Sequence, residues 1–230
     1  MIKVCGMREP ENIRAISQLG VDVIGLIFYP RSPRYVRSIS IRAGIVPDNP
    51  SLSVNSAEVI DEKPQKTVRY AGVFVNEMPQ TVITHAYNYR LDFLQFHGNE
   101  SPTYIENLKR TIIPDIMPNV KIIKAISIRE AADVDKWRQY SGCVDMLLFD
   151  NKCKTVGGSG EHFDWSVLDG YDGDIPFLLS GGIGPEDTDN IRNFNHRQCV
   201  GFDLNSKFED APALKNVEKV REFLKAINRI

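Results

Sequence analysis

No stretch of this 230-residue chain approaches the roughly 20 consecutive apolar residues that cross a bilayer. The N-terminus lacks a basic segment followed by an apolar stretch and a small-residue cleavage site, so no signal peptide is expected. Cysteine is scarce. Cys5, Cys143, Cys153 and Cys199 are scattered, with no CxxC and no Cys/His set at metal-ligand spacing. Neither structural zinc nor a disulfide framework is expected, and a reducing, cytoplasmic compartment is the default. An excess of charge of one sign is also missing. With 28 basic against 30 acidic residues the net charge is -2, which leaves no footprint for nucleic acid and no Lys/Arg block for a membrane surface.

What is present is an ordinary globular composition, 42% hydrophobic and 25% charged, with ample material for a core. The length fits one large domain or two small ones. The chain opens on Ile2-Lys3-Val4-Cys5-Gly6-Met7-Arg8, a short extended run that delivers a thiol to its end and then turns at a glycine. Taken alone, a cysteine there reads as a small buried hydrophobe. The rest of the chain changes that reading.

A helix opens at Glu9-Pro10, carries Ile13, Ile16 and Leu19 on one face and closes at Gly20. Residues 21–28 (VDVIGLIF) are almost unbroken apolar chain, as suits a parallel strand buried on both faces. This βαβ pattern recurs. Strands are predicted over 68–75, 93–96, 120–126, 146–149, 176–179 and 199–204. Helical segments are predicted after Pro79, after Ser101-Pro102, over 130–140, near Asp164-Trp165, after Pro185, and over the final stretch with Val217, Val220, Leu224 and Ile227. Residues 37–67 are different. Pro47, Pro50 and Pro64 interrupt a polar stretch with no clean helical face, which reads as an irregular connection after strand two.

Eight strands, each followed by a helix or room for one, predict a single (β/α)8 TIM barrel domain over residues 1–230. A doubly wound open sheet is the alternative; no strand is followed by GxGxxG, and the count reaches eight. In a barrel all strand C-termini share one rim, where active sites are built. That rim gathers Cys5-Gly6, the 29–34 segment with Arg31 and Arg34, His97, Asp150, Ser180-Gly181-Gly182 and Asn205-Ser206. Loops after strands seven and eight are the usual phosphate site of such barrels. Gly181 and Gly182, with Gly157-Gly158-Ser159-Gly160 after strand six, let backbone N–H groups approach an anion closely, and the helix opened by Pro185 adds its dipole. Phosphate is therefore the favoured ligand.

The motifs KVCGM, GLIFYPRSPRYV, GVFVN, LQFHG, LLFDNK, GGSGEHFDW and LLSGGI occur in this order along nearly the whole chain, which resembles the phosphoribosylanthranilate isomerase family. The resemblance implies the same barrel fold and an Amadori rearrangement in tryptophan biosynthesis. N-(5-phosphoribosyl)anthranilate becomes 1-(2-carboxyphenylamino)-1-deoxyribulose 5-phosphate, with no metal or redox cofactor. It further implies Asp150 as the general acid that opens the ribose ring and Cys5 as the general base that removes the C2 proton. Arg34 matches the residue that holds the anthranilate carboxylate, a task suited to a bidentate guanidinium. Gly157, Gly158, Gly181, Gly182, Asn205 and Ser206 fall on the phosphate side, with Asp203 orienting the phosphate loop. His97 is expected to be a satisfied structural histidine, Arg31 a solvated one, and Cys143, Cys153 and Cys199 incidental.

After strand eight the family commonly has a Ser-Ser-Gly-Val-Glu-like segment, then a glycine and a Lys-Asp pair. Here the chain reads Asn205-Ser206-Lys207-Phe208-Glu209, then Pro212-Ala213-Leu214-Lys215-Asn216. Ser206 still offers a hydroxyl and an N–H. The competing readings are another phosphosugar isomerase, or a non-catalytic barrel that binds a phosphorylated metabolite. A small phosphorylated substrate is the expected partner, and a monomer or a homodimer is compatible with the sequence.

Overall fold

Eight parallel strands close into a barrel in chain order: β1 (Ile2–Val4), β2 (Val23–Ile27), β3 (Arg69–Phe74), β4 (Phe93–Phe96), β5 (Lys121–Ile128), β6 (Met146–Asn151), β7 (Phe177–Ser180) and β8 (Cys199–Leu204). The structure is a computed structural model that describes residues 1–37, 68–151 and 165–229. Closure is made by β1 against β8, with Ile2 opposite Phe202, Lys3 opposite Asp203 and Val4 opposite Leu204. An open sheet would leave those two strands as edges, so the doubly wound alternative is excluded. The irregular connection expected at 37–67 lies, beyond Arg37, outside the described residues.

The helices start where local chemistry says they should. In α1 (Pro10–Ser17), α2 (Pro79–Asn88) and α3 (Pro102–Asp115) a proline occupies the first turn, where its missing N–H costs no hydrogen bond. Ser101 caps α3, its Oγ accepting from the Tyr104 N–H at 3.1 Å. The segment after β5 departs from expectation. Ala131–Tyr140 is wound as a 3-10 helix rather than an α-helix. Its first turn is drawn in by Asp133, whose carboxylate accepts from the backbone of Arg129 at 2.7 Å and Glu130 at 3.2 Å.

Two further 3-10 segments, Trp165–Gly170 and Pro185–Asp187, follow β6 and β7, the second running into α4 (Thr188–Asn193). Beyond β8 a 3-10 turn (Ser206–Phe208) leads to a small hairpin, β9 (Glu209–Ala211) with β10 (Leu214–Lys215), before α5 (Val217–Ala226). The hairpin was not expected from the sequence. Among the described residues no helix is long and apolar enough to cross a membrane.

Strand side chains alternate between two faces, and this alternation builds the site. Outward residues such as Val4, Ile24, Leu94, Leu147 and Leu179 join the large core against the helices. Inward residues form a smaller cluster of Val23, Ala71, Phe93, Ile123, Ala125, Leu148 and Leu178 that fills the barrel. Stepping two residues along each strand from that plug gives the next inward layer. Phe93 leads to Gln95, Leu148 to Asp150, Leu178 to Ser180, Gly201 to Asp203 and Lys3 to Cys5. The apolar plug thus carries a polar floor on its C-terminal side.

Candidate active site

Above that floor lies a cavity of about 270 Å³, lined by Cys5, Gln95, His97, Asp150, Ser180 and Asp203. Gly181, Gly182, Asn205 and Ser206 line its other side. The structure therefore brings the thiol of strand one, the carboxylate of strand six and the loops of strands seven and eight into one space. A larger cavity of about 840 Å³ adjoins it over the ends of β4 and β5, sharing His97. Lys124 at its base is already satisfied, donating to the carbonyls of Phe96 (3.2 Å) and Gly98 (2.7 Å) and to Glu100 (3.2 Å). The smaller cavity holds the reactive groups.

Cys5 is 3% exposed, fixed by its N–H donating to the Leu204 carbonyl at 2.8 Å. Room for its sulfur exists because residue 25 is glycine; a Cβ there would sit 2.8 Å from Sγ. Burial pushes the Cys5 thiol up from its ordinary value, while the charge of the neighbouring Lys3 ammonium pulls the other way. Lys3 is fully buried, and its Nζ donates to Asp203 Oδ1 at 2.8 Å. Burial alone would lower the Lys3 pKa; Asp203 and Cys5 outweigh it and hold the ammonium above its usual value. The second oxygen of Asp203 accepts from Ser180 Oγ at 3.3 Å. Asp203 thus touches the thiol's neighbour on one side and the residue before Gly181 on the other.

Gly6 turns the chain at φ 75°, and the Arg34 side chain crosses directly over it. A Cβ at position 6 would meet Arg34 Cδ at 2.5 Å and Asn205 Oδ1 at 2.8 Å. Gly6→Ala is expected to lower stability by roughly 1–2 kcal/mol for the left-handed backbone alone. It should also raise KM by displacing Arg34. Chemical denaturation and steady-state kinetics on the same preparation check both.

Arg34 itself is engaged. Its Nε and Nη2 donate to the two oxygens of Glu209 at 2.8 and 2.6 Å. Lys215, wholly buried, donates to Glu209 Oε1 at 2.5 Å and to Asn205 Oδ1 at 3.0 Å. Across the cavity His97 lies 3.0 Å from Asp150, Nε2 to Oδ2. The Gln95 amide nitrogen lies 3.1 Å from His97 Nδ1 on the other side of the ring. The histidine expected to be structural is hydrogen-bonded on both nitrogens, yet it faces the cavity beside Asp150.

On the side expected to take a phosphate, Gly181 and Gly182 adopt φ of 94° and 78°, a left-handed pair that turns the backbone after β7. The segment after Pro185 begins as a 3-10 turn, and the Gly184 N–H there already donates to Asp187 at 2.8 Å. Its N-terminus is thus partly occupied by a carboxylate from its own chain. Gly157, Gly158 and Cys153 lie outside the described residues. Arg31 is exposed; Cys143 donates to the Tyr140 carbonyl, and neither Cys143 nor Cys199 borders the cavity. Lys3, Glu209 and Lys215 escaped the sequence reading. Lys3 had a usable signal in its phase, two residues before Cys5 and therefore on the same face; Glu209 and Lys215 had only their match to the family-like segment after strand eight.

Known proteins match this architecture. The family model described as N-(5'phosphoribosyl)anthranilate (PRA) isomerase matches residues 2–226. The N-(5'-phosphoribosyl)anthranilate isomerase of Parabacteroides distasonis is 42% identical over 227 residues, covering 99% of this chain and 93% of the relative. The crystal structure of phosphoribosyl anthranilate isomerase from Thermotoga maritima superposes with a TM-score of 0.76 at 26% identity, covering 100% and 98% of the two chains. A phosphoribosyl anthranilate isomerase solved with reduced 1-(o-carboxyphenylamino)-1-deoxyribulose 5-phosphate gives a TM-score of 0.73 at 25% identity, with coverage of 100% and 98%. With the family model spanning the barrel from its first strand to its last helix, the chain belongs to the phosphoribosylanthranilate isomerase family.

Proposed function

We propose that this isomerase converts N-(5-phosphoribosyl)anthranilate to 1-(2-carboxyphenylamino)-1-deoxyribulose 5-phosphate, as a step of tryptophan biosynthesis, with Asp150 as general acid and Cys5 as general base. The observation that carries the assignment is that both line one cavity at the strand ends, from strands three apart around the barrel. Asp150 gives its proton to the ribose ring oxygen as the C1–O bond breaks, and the anilino nitrogen lone pair forms the C=N bond of a Schiff base. The Cys5 thiolate then takes the C2 proton, and the C2–H electron pair moves into C1=C2, neutralising the iminium. Ketonisation of this enol-enamine gives the product with no net change in oxidation state. Each proton transfer of this kind is typically worth about 10²–10⁴ in rate.

The same proposal gives the substrate its other anchors. Arg34 holds the anthranilate carboxylate; Gly181, Gly182, Asn205 and Ser206, with Gly157 and Gly158, receive the phosphate. The Lys3–Asp203 pair supports both ends, flanking the thiol and holding Ser180 ahead of the glycine turn. The chain works as one barrel domain, monomeric or homodimeric, in a cytoplasm that keeps Cys5 reduced. The test is a turnover assay on freshly generated phosphoribosylanthranilate, following loss of its fluorescence. Turnover is expected. Its absence in folded protein, with the reduced product analogue still bound, would favour a barrel that binds phosphorylated metabolites without catalysis.

A further inference from the structure

The guanidinium of Arg34 has five N–H groups arranged as two usable edges. Its Nε/Nη2 edge is consumed by Glu209 in a side-on, two-bond contact. Nη1 and the second Nη2 hydrogen form the remaining fork. Glu209 is not a loose surface carboxylate. Its side chain is 6% exposed, and Oε1 also accepts from Lys215 Nζ at 2.5 Å and from the Ala213 N–H at 3.2 Å. Lys215 stands directly opposite Glu209 in the β9–β10 pairing, and its own backbone is locked to Asn12 by two 2.8 Å hydrogen bonds. The hairpin is thereby anchored to α1, and the carboxylate is anchored to the hairpin. Two cations share one anion in this corner, which leaves a net charge of +1.

We infer that Glu209, fixed by Lys215, is a positioning residue that aims the outer Nη1/Nη2 fork of Arg34 at the carboxylate of the substrate and thereby sets the preference for a carboxylated aniline. The inference rests on the assignment of Arg34 to that carboxylate. A swinging competitor is the obvious other role for a carboxylate on this arginine. Displacing Glu209 would strand a buried anion between Lys215 and the hairpin turn, so the geometry favours a fixed brace. One unbalanced positive charge suits one incoming carboxylate. Glu209→Gln keeps the shape and removes the anion, so the guanidinium loses its side-on clamp and swings.

The test compares two ligands by calorimetry: reduced 1-(o-carboxyphenylamino)-1-deoxyribulose 5-phosphate and its phenylamino counterpart without the carboxylate. Wild type is expected to prefer the carboxylated ligand by at least ~10-fold, the size of a charge-assisted hydrogen-bond pair. Glu209→Gln should cut that preference to about 2-fold while leaving the affinity for the carboxylate-free ligand within about 2-fold, since the direct partners of Glu209 are Arg34, Lys215 and the Ala213 N–H rather than a phosphate-side residue. Glu209→Asp should recover part of the preference. Arg34→Met separates the two claims. If that variant keeps the full preference, the assignment of Arg34 falls; if it loses the preference and Glu209→Gln keeps it, only the positioning role falls. Equal weakening of both ligands by Glu209→Gln would reduce Glu209 to a brace of the hairpin, and tighter binding of the carboxylated ligand would make it a competitor. Either overturns the inference. Should Glu209→Gln not fold, the double variant Glu209→Gln/Lys215→Met, which removes the buried lysine charge as well, carries the same comparison with the same expected outcomes.

Discussion

Replacing Cys5 by serine or Asp150 by asparagine is expected to lower kcat by about 10²–10⁴ each, with binding of the reduced product analogue within a few-fold of wild type. The proposed base lies at the wall of the cavity. Cys5 is nearly inaccessible, and the space above its sulfur is bounded by Gly25 and the Lys3–Asp203 pair. Serine fits that space, but its hydroxyl is far too weak an acid to supply an oxyanion near neutral pH. Asparagine at 150 keeps the shape of the side chain and its reach to His97, so local geometry survives while the transferable proton does not. Both losses fall on the chemical step rather than on ground-state binding, which is why kcat drops and affinity holds. The double variant should be no worse than the more damaged single one once the acid–base route is abolished. Single-turnover kinetics with matched calorimetry measures this. Survival of near-wild-type kcat in both single variants would remove the acid–base assignment.

Much of the barrel could be read because its strands are apolar on both faces. VDVIGLIF leaves no polar face to point at solvent, which calls for helices on one side and a filled barrel on the other. The same runs contain the signals for the site. Asp150 follows Met146-Leu147-Leu148-Phe149 within β6, and Cys5 lies one residue beyond Ile2-Lys3-Val4, so each is a reactive residue at an inward step near a strand's C-terminal end. His97 was harder. Gln95 points inward and His97, one residue beyond β4 as Cys5 is beyond β1, continues that phase into the cavity, but nothing nearby in the chain marks it as the neighbour of Asp150. Its partner is 53 positions away.

Glu209 and Lys215 could be read only as the Glu and Lys of the family-like segment after strand eight, with no role attached. They sit in a segment without clear periodicity, become a two-stranded hairpin only through tertiary contact, and take their meaning from Arg34, 175 residues earlier. The 3-10 winding of Ala131–Tyr140 was hidden for a similar reason. The residues there read as helical, and nothing in their spacing separates 3-10 from α winding.

Lys3 and Asp203 offer the most discriminating experiment, because two substitutions with similar effects on stability should move activity in opposite directions along the pH axis. Breaking either member of this buried pair leaves a charge without its partner, a loss of about 3–5 kcal/mol. The charged groups that face Cys5 are Lys3 on β1, Asp203 on β8, Lys215 on β10 and Arg34 after β2. Lys3 and Lys215 lower the thiol's pKa; Asp203 raises it, as does burial, the largest influence.

Lys3→Met removes the ammonium and leaves Asp203 facing the sulfur, so the thiol is pushed further up. A general base works only when deprotonated, and kcat/KM rises with pH as the thiolate forms. The acidic limb of that profile is therefore expected to shift to higher pH, with a loss near neutrality of at least ~10-fold, one unit of pKa. Asp203→Asn removes the repelling anion and keeps Lys3 beside the sulfur, so its acidic limb should shift to lower pH. The double variant Lys3→Met/Asp203→Asn restores charge balance, and with it most of the lost stability, while the limb settles between the two singles. Profiles of kcat/KM beside denaturant midpoints for the three variants measure all of this. A pair that mattered only for folding would shift both limbs the same way or neither, and that result would separate the buried lysine from the chemistry of Cys5.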